Sequence, residues 1–261
     1  MSYLINRIEV YSLYLLEYIK FGEFASLRNA ITYMITRKSN AKGGIVKSRL
    51  GVFETRPMSL DFQHVNYAYE ISIKRFIEKE DFTVFFDIGA CLGEFSIWLA
   101  SKGKKCITFE PVSYSYNMIQ RNIQLNKVED RIMLFKCGLG SQRAEAHFEL
   151  NKTNPGSNRR VETAAADTEV FIINTFDELL PSFNLSPNDK ILIKIDVEGM
   201  ELEMLEGARQ FINSYDDIVM IIEEKFSGED NIRKGLSKIA DFEFGKLDEH
   251  NIYARKIKRT I

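Results

Sequence analysis

Thr83-Val-Phe-Phe-Asp-Ile-Gly-Ala-Cys-Leu-Gly93 reads as a strand, a tight turn and the threshold of a helix. Its first six residues are a β-branched and aromatic run of the kind that fills a strand buried on both faces. Gly89 and Gly93 then let the chain turn sharply and bring its backbone close to a ligand. Glu94 to Lys102 reads as the helix whose first free N–H groups face that ligand. Downstream the pattern repeats. Cys106 to Phe109 is predicted as a strand, Ser113 to about Leu125 as a helix, and Ile132 to Lys136 as a strand. Ile191 to Val197 is a fourth strand, Met200 to Ile212 a helix, and Ile218 to Ile222 a fifth strand. This alternation predicts an α/β fold built on a mostly parallel, doubly wound sheet. Phe242 to Phe244 and Asn251 to Ala254 are predicted to close it as an antiparallel C-terminal hairpin.

Two regions stand outside that alternation. Apolar residues recur at helical spacing at Leu4, Ile8, Tyr11, Leu15 and Ile19, then at Phe24, Leu27, Ile31 and Met34, which predicts two amphipathic helices parted near Gly22. Lys38 to Gly44 reads as a loop, and a helical pattern resumes after Val65 with Tyr69, Ile73, Phe76 and Ile77. The division expected is a helical N-terminal extension, 1–62, and an α/β domain, 63–261. The extension is expected to cap the domain or to pair with a second copy in a homo-oligomer; a membrane-surface or acceptor-positioning role is the alternative. The second region, Arg143 to Asn174, is polar, centres on Asn154-Pro155-Gly156, and reads as a hairpin-like insertion or lid. Its Arg159 and Arg160 suit a phosphate or carboxylate on an acceptor, or simply a solvated loop tip.

Composition narrows the function classes. With 45% hydrophobic residues the 261-residue chain can bury a sizeable core, and Lys+Arg 35 against Asp+Glu 37 gives no global field to attract nucleic acid. Cys91, Cys106 and Cys137 are odd in number and lack a CxxC pair, which argues against a disulfide framework or a structural zinc site and fits a cytoplasmic compartment. The N-terminus shows no secretory pattern, and the apolar run Tyr11 to Ile19 is broken by Glu17, so no transmembrane segment is expected.

The chemistry sits at predicted strand ends. Glu110 ends the second strand about 20 residues after Gly89, where an acid accepts hydrogen bonds from both hydroxyls of a ribose. A nucleoside-containing cofactor follows. Dinucleotide folds want G-x-G-x-x-G, whereas here Cys91 stands at the middle glycine and its Cβ crowds a pyrophosphate. Asp87 repels phosphate as well, yet suits the charged amino-acid end of S-adenosylmethionine. A nicotinamide-dependent oxidoreductase is the rival reading at fold level, disfavoured by the missing glycine.

A more specific likeness rests on five motifs: Asp87-Ile-Gly-Ala-Cys-Leu-Gly93, Phe109-Glu110-Pro111, Asn122-x-x-x-Asn126, Cys137-Gly-Leu-Gly140 and Lys194-Ile-Asp196-Val-Glu198-Gly199-Met-Glu201. Their order and spacing resemble the FkbM family of methyltransferases over about Tyr69 to Glu224, with one departure, Cys91 where the family usually has Asn. The resemblance implies a Rossmann-like class I methyltransferase fold, S-adenosylmethionine as cofactor, and methylation of a hydroxyl oxygen, often on a sugar. Residue by residue it implies that Asp87, Gly89, Ala90, Cys91 and Gly93 surround the methionine end. Glu110 would hold the ribose, with Pro111 beside it among the cofactor-binding residues, and Cys137 and Gly138 would flank the adenine. Asp196 and Glu198, at the carboxyl end of a strand, are placed near the methyl group.

Alkyl transfer from a sulfonium asks the protein to align the acceptor and remove its proton. Glu198 and Asp196 are the candidate bases, with Glu223 and His64 behind them; Asp196 reads equally as a cofactor contact. Lys194, inside a buried strand, is a candidate for catalysis and a stronger candidate for pairing with a carboxylate. The carboxylates could also ligate a hard cation, although no metal is expected. A small-molecule or lipid acceptor, and a non-catalytic scaffold that keeps the cofactor fold, are the other readings. Four carboxylates at strand ends argue against the scaffold.

Overall fold

The computed structural model describes residues 2–151, 159–161 and 168–258. Upstream lie α1 (Ser2–Lys20), α2 (Phe24–Thr36), the strands β1 (Gly44–Ser48) and β2 (Gly51–Thr55), and the short helices α3 (Asp61–His64) and α4 (Ile71–Ile77). Next come β3 (Val84–Ile88), α5 (Glu94–Ser101), β4 (Lys105–Phe109), α6 (Ser113–Asn126) and β5 (Ile132–Phe135). Four further strands follow: β6 (Gly138–Leu139), β7 (Ala144–Glu149), β8 (Arg159–Val161) and β9 (Thr168–Asn174). After α7 (Phe176–Leu179) and a 3-10 turn at Leu180–Phe183 the chain returns as β10 (Ile191–Ile195), α8 (Glu201–Glu206), α9 (Arg209–Ser214) and β11 (Ile218–Glu223). It closes with α10 (Glu229–Ser237), β12 (Phe242–Lys246) and β13 (Asn251–Lys256).

The main sheet has seven strands in the order β12-β13-β11-β10-β3-β4-β5. Strands β11, β10, β3, β4 and β5 are parallel, and β13 and β12 join antiparallel at one edge. This is the doubly wound, Rossmann-like arrangement expected. The chain winds outward from β3 through β4 to β5, then restarts beside β3 with β10. That reversal opens a crevice at the carboxyl ends of β3 and β10, where ligands lie in such sheets.

Alternation along the strands feeds two cores. On one face Phe85, Leu192 and Ile221 pack with Phe95 and Trp98 of α5, Ile119 of α6, and Tyr14 and Tyr18 of α1. On the other, Phe86 and Phe109 meet Phe176, Phe183 and Phe211 in a ring cluster with centroid spacings of 4.4 to 6.3 Å. Each such buried ring contributes roughly 1.5–3 kcal/mol.

Four expectations need correction. The upstream segment is not helical throughout, because β1 and β2 form an antiparallel hairpin. Its first two helices part near Gly22 as expected, but their inward faces carry Tyr14, Glu17 and Tyr18, then Ser26, Asn29 and Ala30. Tyr11, Ile19, Phe24 and Ile31 stay exposed. The reason is polar: the Tyr18 hydroxyl donates to Phe62 O at 2.6 Å, and Glu17 pairs with Arg49. The helix expected from Met200 to Ile212 is two helices, broken where Gly207 passes the backbone of Gly140; a Cβ there would lie 2.0 Å from Gly140 O. Asp177 restarts the chain as α9 by accepting from the N–H groups of Gln210 and Phe211, both at 2.8 Å. Finally, the insertion is a second sheet, β6-β9-β7-β8, with Phe171 and Ile173 turned inward. The Asn154-Pro155-Gly156 turn lies outside the described residues.

Candidate active site

The two strands at the sheet reversal are laced together by backbone. Asp196 N donates to Ile88 O at 3.0 Å, and Gly89 (φ 88°) turns so close to β10 that a Cβ would sit 1.9 Å from Asp196 O. Gly93 (φ 74°) lets α5 approach α6; a Cβ there would meet Ile119 Cγ2 at 3.1 Å. Asp87 faces inward instead of lining the crevice. It is 1% exposed, and its Oδ2 accepts from Ser96 N at 3.2 Å and Ser96 Oγ at 2.7 Å, which holds the first turn of α5. Burial raises its pKa, against the pull of Lys194 and Ser96. Asp87, Ala90 and Gly93 therefore support the loop from beneath and line neither of the two cavities above it.

The first cavity is mostly apolar. Of the residues that the resemblance assigns to the cofactor, it brings together Gly89, Cys91, Glu110, Pro111, Cys137, Gly138 and Asp196, and Glu198 joins them. Val112, Phe171 and Met200 also line it and were not anticipated. Each carboxylate oxygen of Glu110 already accepts one backbone N–H, from Cys91 and from Val112, both at 2.9 Å. Burial raises the Glu110 pKa to about 7, opposed by those two N–H groups. Spare lone pairs remain on both oxygens, the acceptor set a vicinal diol needs.

The second cavity is acidic. His64, Glu94, Lys194, Asp196, Glu198 and Glu223 line it, with Tyr69, Glu70 and Lys225. It shares Gly89, Cys91, Asp196 and Glu198 with the first, so one wall of four residues separates the two. Lys194 Nζ donates to Asp196 Oδ2 at 2.8 Å. Burial opposes its charge, but Asp196, Glu70 and Asp87 outweigh burial and hold the ammonium's pKa well above its ordinary value. It stays protonated and cannot act as a base. Burial, then repulsion from Asp196, raises Glu198 to about 7. Burial and both acidic neighbours raise Glu223 as well. His64 is pushed down by burial, so its imidazole is neutral. Asp196, Glu198 and Glu223 offer oxygens that all lie within 4.8 Å of one another, a donor set of the kind hard cations take. Lys194, paired with Asp196, offsets part of that charge.

Sequence motifs acquire reasons here. Glu198 adopts a left-handed backbone (φ 52°), uncommon for a residue with a side chain and concentrated at functional sites. The turn is held by Glu201, fully buried, which accepts from Gly199 N at 3.0 Å and from Ser227. Asn122 and Asn126, one turn apart on α6, both face β2. Glu54 N donates to Asn122 Oδ1 at 2.7 Å, and Val52 N donates to Asn126 Oδ1 at 2.9 Å.

Arg56 was missed. It lies just past β2 at 3% exposure, makes a double contact with Asp61 at 2.7 and 2.8 Å, and reaches Cys91 Sγ at 3.4 Å. No periodic signal marks it, since it sits between the upstream helices and the α/β repeat. Burial pushes the Cys91 thiol well up, so it is no nucleophile.

The family model described as the methyltransferase FkbM domain matches residues 87–250, more than half of the chain. The chain belongs to the FkbM methyltransferase family. Methyltransferase sdnD of Sordaria araneosa is 28% identical over 151 residues, 46% of this chain. Hexuronic acid methyltransferase AglP of Haloferax volcanii is 27% identical over 146 residues, 56% of this chain. The match spans 58% of the length of each of these curated relatives. A solved structure described as methyltransferase FkbM from Methylobacillus flagellatus KT covers 66% of this chain and 43% of its own, at 20% identity and a TM-score of 0.47. The matched segment contains all four residues of the wall between the cavities, Gly89, Cys91, Asp196 and Glu198. Among the described residues no helix is long and apolar enough to cross a membrane.

Proposed function

We propose that the chain is an S-adenosylmethionine-dependent O-methyltransferase whose acceptor is a sugar hydroxyl in a glycan or glycan precursor. One observation carries the reading: an apolar cavity with a buried diol acceptor and an acidic cavity meet across Gly89, Cys91, Asp196 and Glu198. Glu110 suits the ribose, and Phe171, Val112 and Met200 suit an adenine ring. S-adenosylmethionine supplies, when bound, a methyl group on a sulfonium that leaves as a neutral thioether. Glu198 stands on the wall where the two cavities meet and accepts the proton of the attacking hydroxyl. With a pKa near 7 Glu198 is matched to that task. Lys194 fixes Asp196 beside it and keeps a positive charge facing the cluster. Relatedness to a protein named hexuronic acid methyltransferase supports a sugar acceptor.

The test is calorimetric titration with S-adenosylhomocysteine, with NAD as control, followed by transfer of labelled methyl from S-adenosylmethionine to a sugar panel. Binding of the former alone and labelled sugar are expected. A protein that binds neither ligand is not the proposed enzyme.

A further inference from the structure

The acidic cavity does not end at its carboxylates. At Tyr69 and Glu70 it adjoins a larger cavity of about 480 Å³, walled by α1, α2 and the turn into α4. Four tyrosines line that cavity: Tyr11, Tyr14, Tyr33 and Tyr69. Its polar groups are Gln63, whose buried Nε2 has no hydrogen-bond partner among the described residues, Glu70, and Arg37 in an exposed position. Glu70, at the junction, is held in a left-handed backbone (φ 49°), and the Tyr69 ring lies 4.9 Å from that of His64. The volume falls in the range of small-molecule sites, roughly 300–1,000 Å³.

We infer that this cavity is the subsite for a second sugar, and that the acceptor is an oligosaccharide lying along α1 and α2 with its reacting unit among the carboxylates. The inference rests on the proposed sugar methyltransferase and names the shape of its substrate. The wall chemistry selects this occupant. Aromatic faces stack on the C–H faces of sugar rings, while an amide and a carboxylate pair with hydroxyls. An acyl chain would want an aliphatic wall, and here Val10, Met34 and two alanines supply little of one. Arg37 suits a carboxylate on the bound sugar.

The experiment titrates the protein, saturated with S-adenosylhomocysteine, with methyl hexuronides and with the matching hexuronyl disaccharides, read by ligand-observed NMR. The wild type is expected to bind at least one disaccharide about tenfold or more tighter than its monosaccharide. Tyr33→Ala, which removes a stacking face, and Met34→Trp, which fills the cavity, should each bring the ratio close to one. Equal affinities in the wild type, no binding of any sugar, or a preference that survives both substitutions would overturn the inference. S-adenosylhomocysteine binding is measured on every protein. Its absence from the wild type strikes the proposed function instead, and the same titration without it then reads the cavity alone.

Discussion

The two cavities at the sheet reversal share a wall and differ in how they treat a buried carboxyl group. In the apolar cavity Glu110 is raised by burial, yet each of its oxygens holds a backbone N–H. In the acidic cavity Glu198 is raised by burial and Asp196, Glu223 is raised by burial, Asp196 and Glu198, and Glu223 Oε2 is buried with no partner among the described residues. The first arrangement fixes an acceptor in place. The second leaves carboxyl groups whose proton affinity is near neutral and whose lone pairs are unclaimed. Glu110, fully buried and given two backbone donors, is a binding group, whereas Glu198 and Glu223 are only half-buried and stand beside other carboxylates, which suits a proton acceptor.

Breaking the shared wall should have the largest effect. Gly89→Ala drives a Cβ to 1.9 Å from Asp196 O, so little soluble folded protein is expected, read by circular dichroism and yield. Glu198→Gln should lower kcat by about 100-fold or more while S-adenosylhomocysteine affinity holds, because a general base is worth 10²–10⁴. Unchanged turnover would remove Glu198 from the chemistry. In the wild type, kcat/KM should fall about tenfold per pH unit below about pH 7, since the protonated carboxyl cannot accept the hydroxyl's proton. That limb should vanish in Glu198→Gln. Glu110→Ala should weaken S-adenosylhomocysteine binding about tenfold and lower the melting temperature. It strands the N–H groups of Cys91 and Val112, each at a cost of about 1–3 kcal/mol. Cys91→Asn should do least. Asn tolerates φ 52° better than Cys and can still accept from Arg56, so a melting point equal to or above the wild type is expected.

How much of this was legible follows the same divide. The sheet order could be read because buried parallel strands are dense apolar runs, and Val84–Ile88, Ile191–Ile195 and Ile218–Glu223 are such runs. Glu110 and Glu198 could be read because they follow the carboxyl ends of β4 and β10. Asp87 has the same sequence position but a different fate: as a strand residue one step earlier it points to Ser96, and only the direction of its side chain distinguishes support from contact. The tyrosine-lined cavity was invisible. Its residues come from α1, α2 and the segment before α4, and helical periodicity sets apart apolar from polar without saying which apolar residues leave a space between them.

Arg56 carries a consequence for where this chain can be cut. The recognisable family segment opens at residue 87, inside the first strand of the main sheet, yet the guanidinium beneath the Cys91 turn is contributed from outside it. Asn122 and Asn126, both within the segment, complete their hydrogen bonds on β2, also outside it. A truncation drawn at the edge of the shared segment would expose these polar groups and loosen the loop at Cys91. The inherited unit and the autonomous unit are different lengths of chain, and a minimal version of this protein must keep the hairpin.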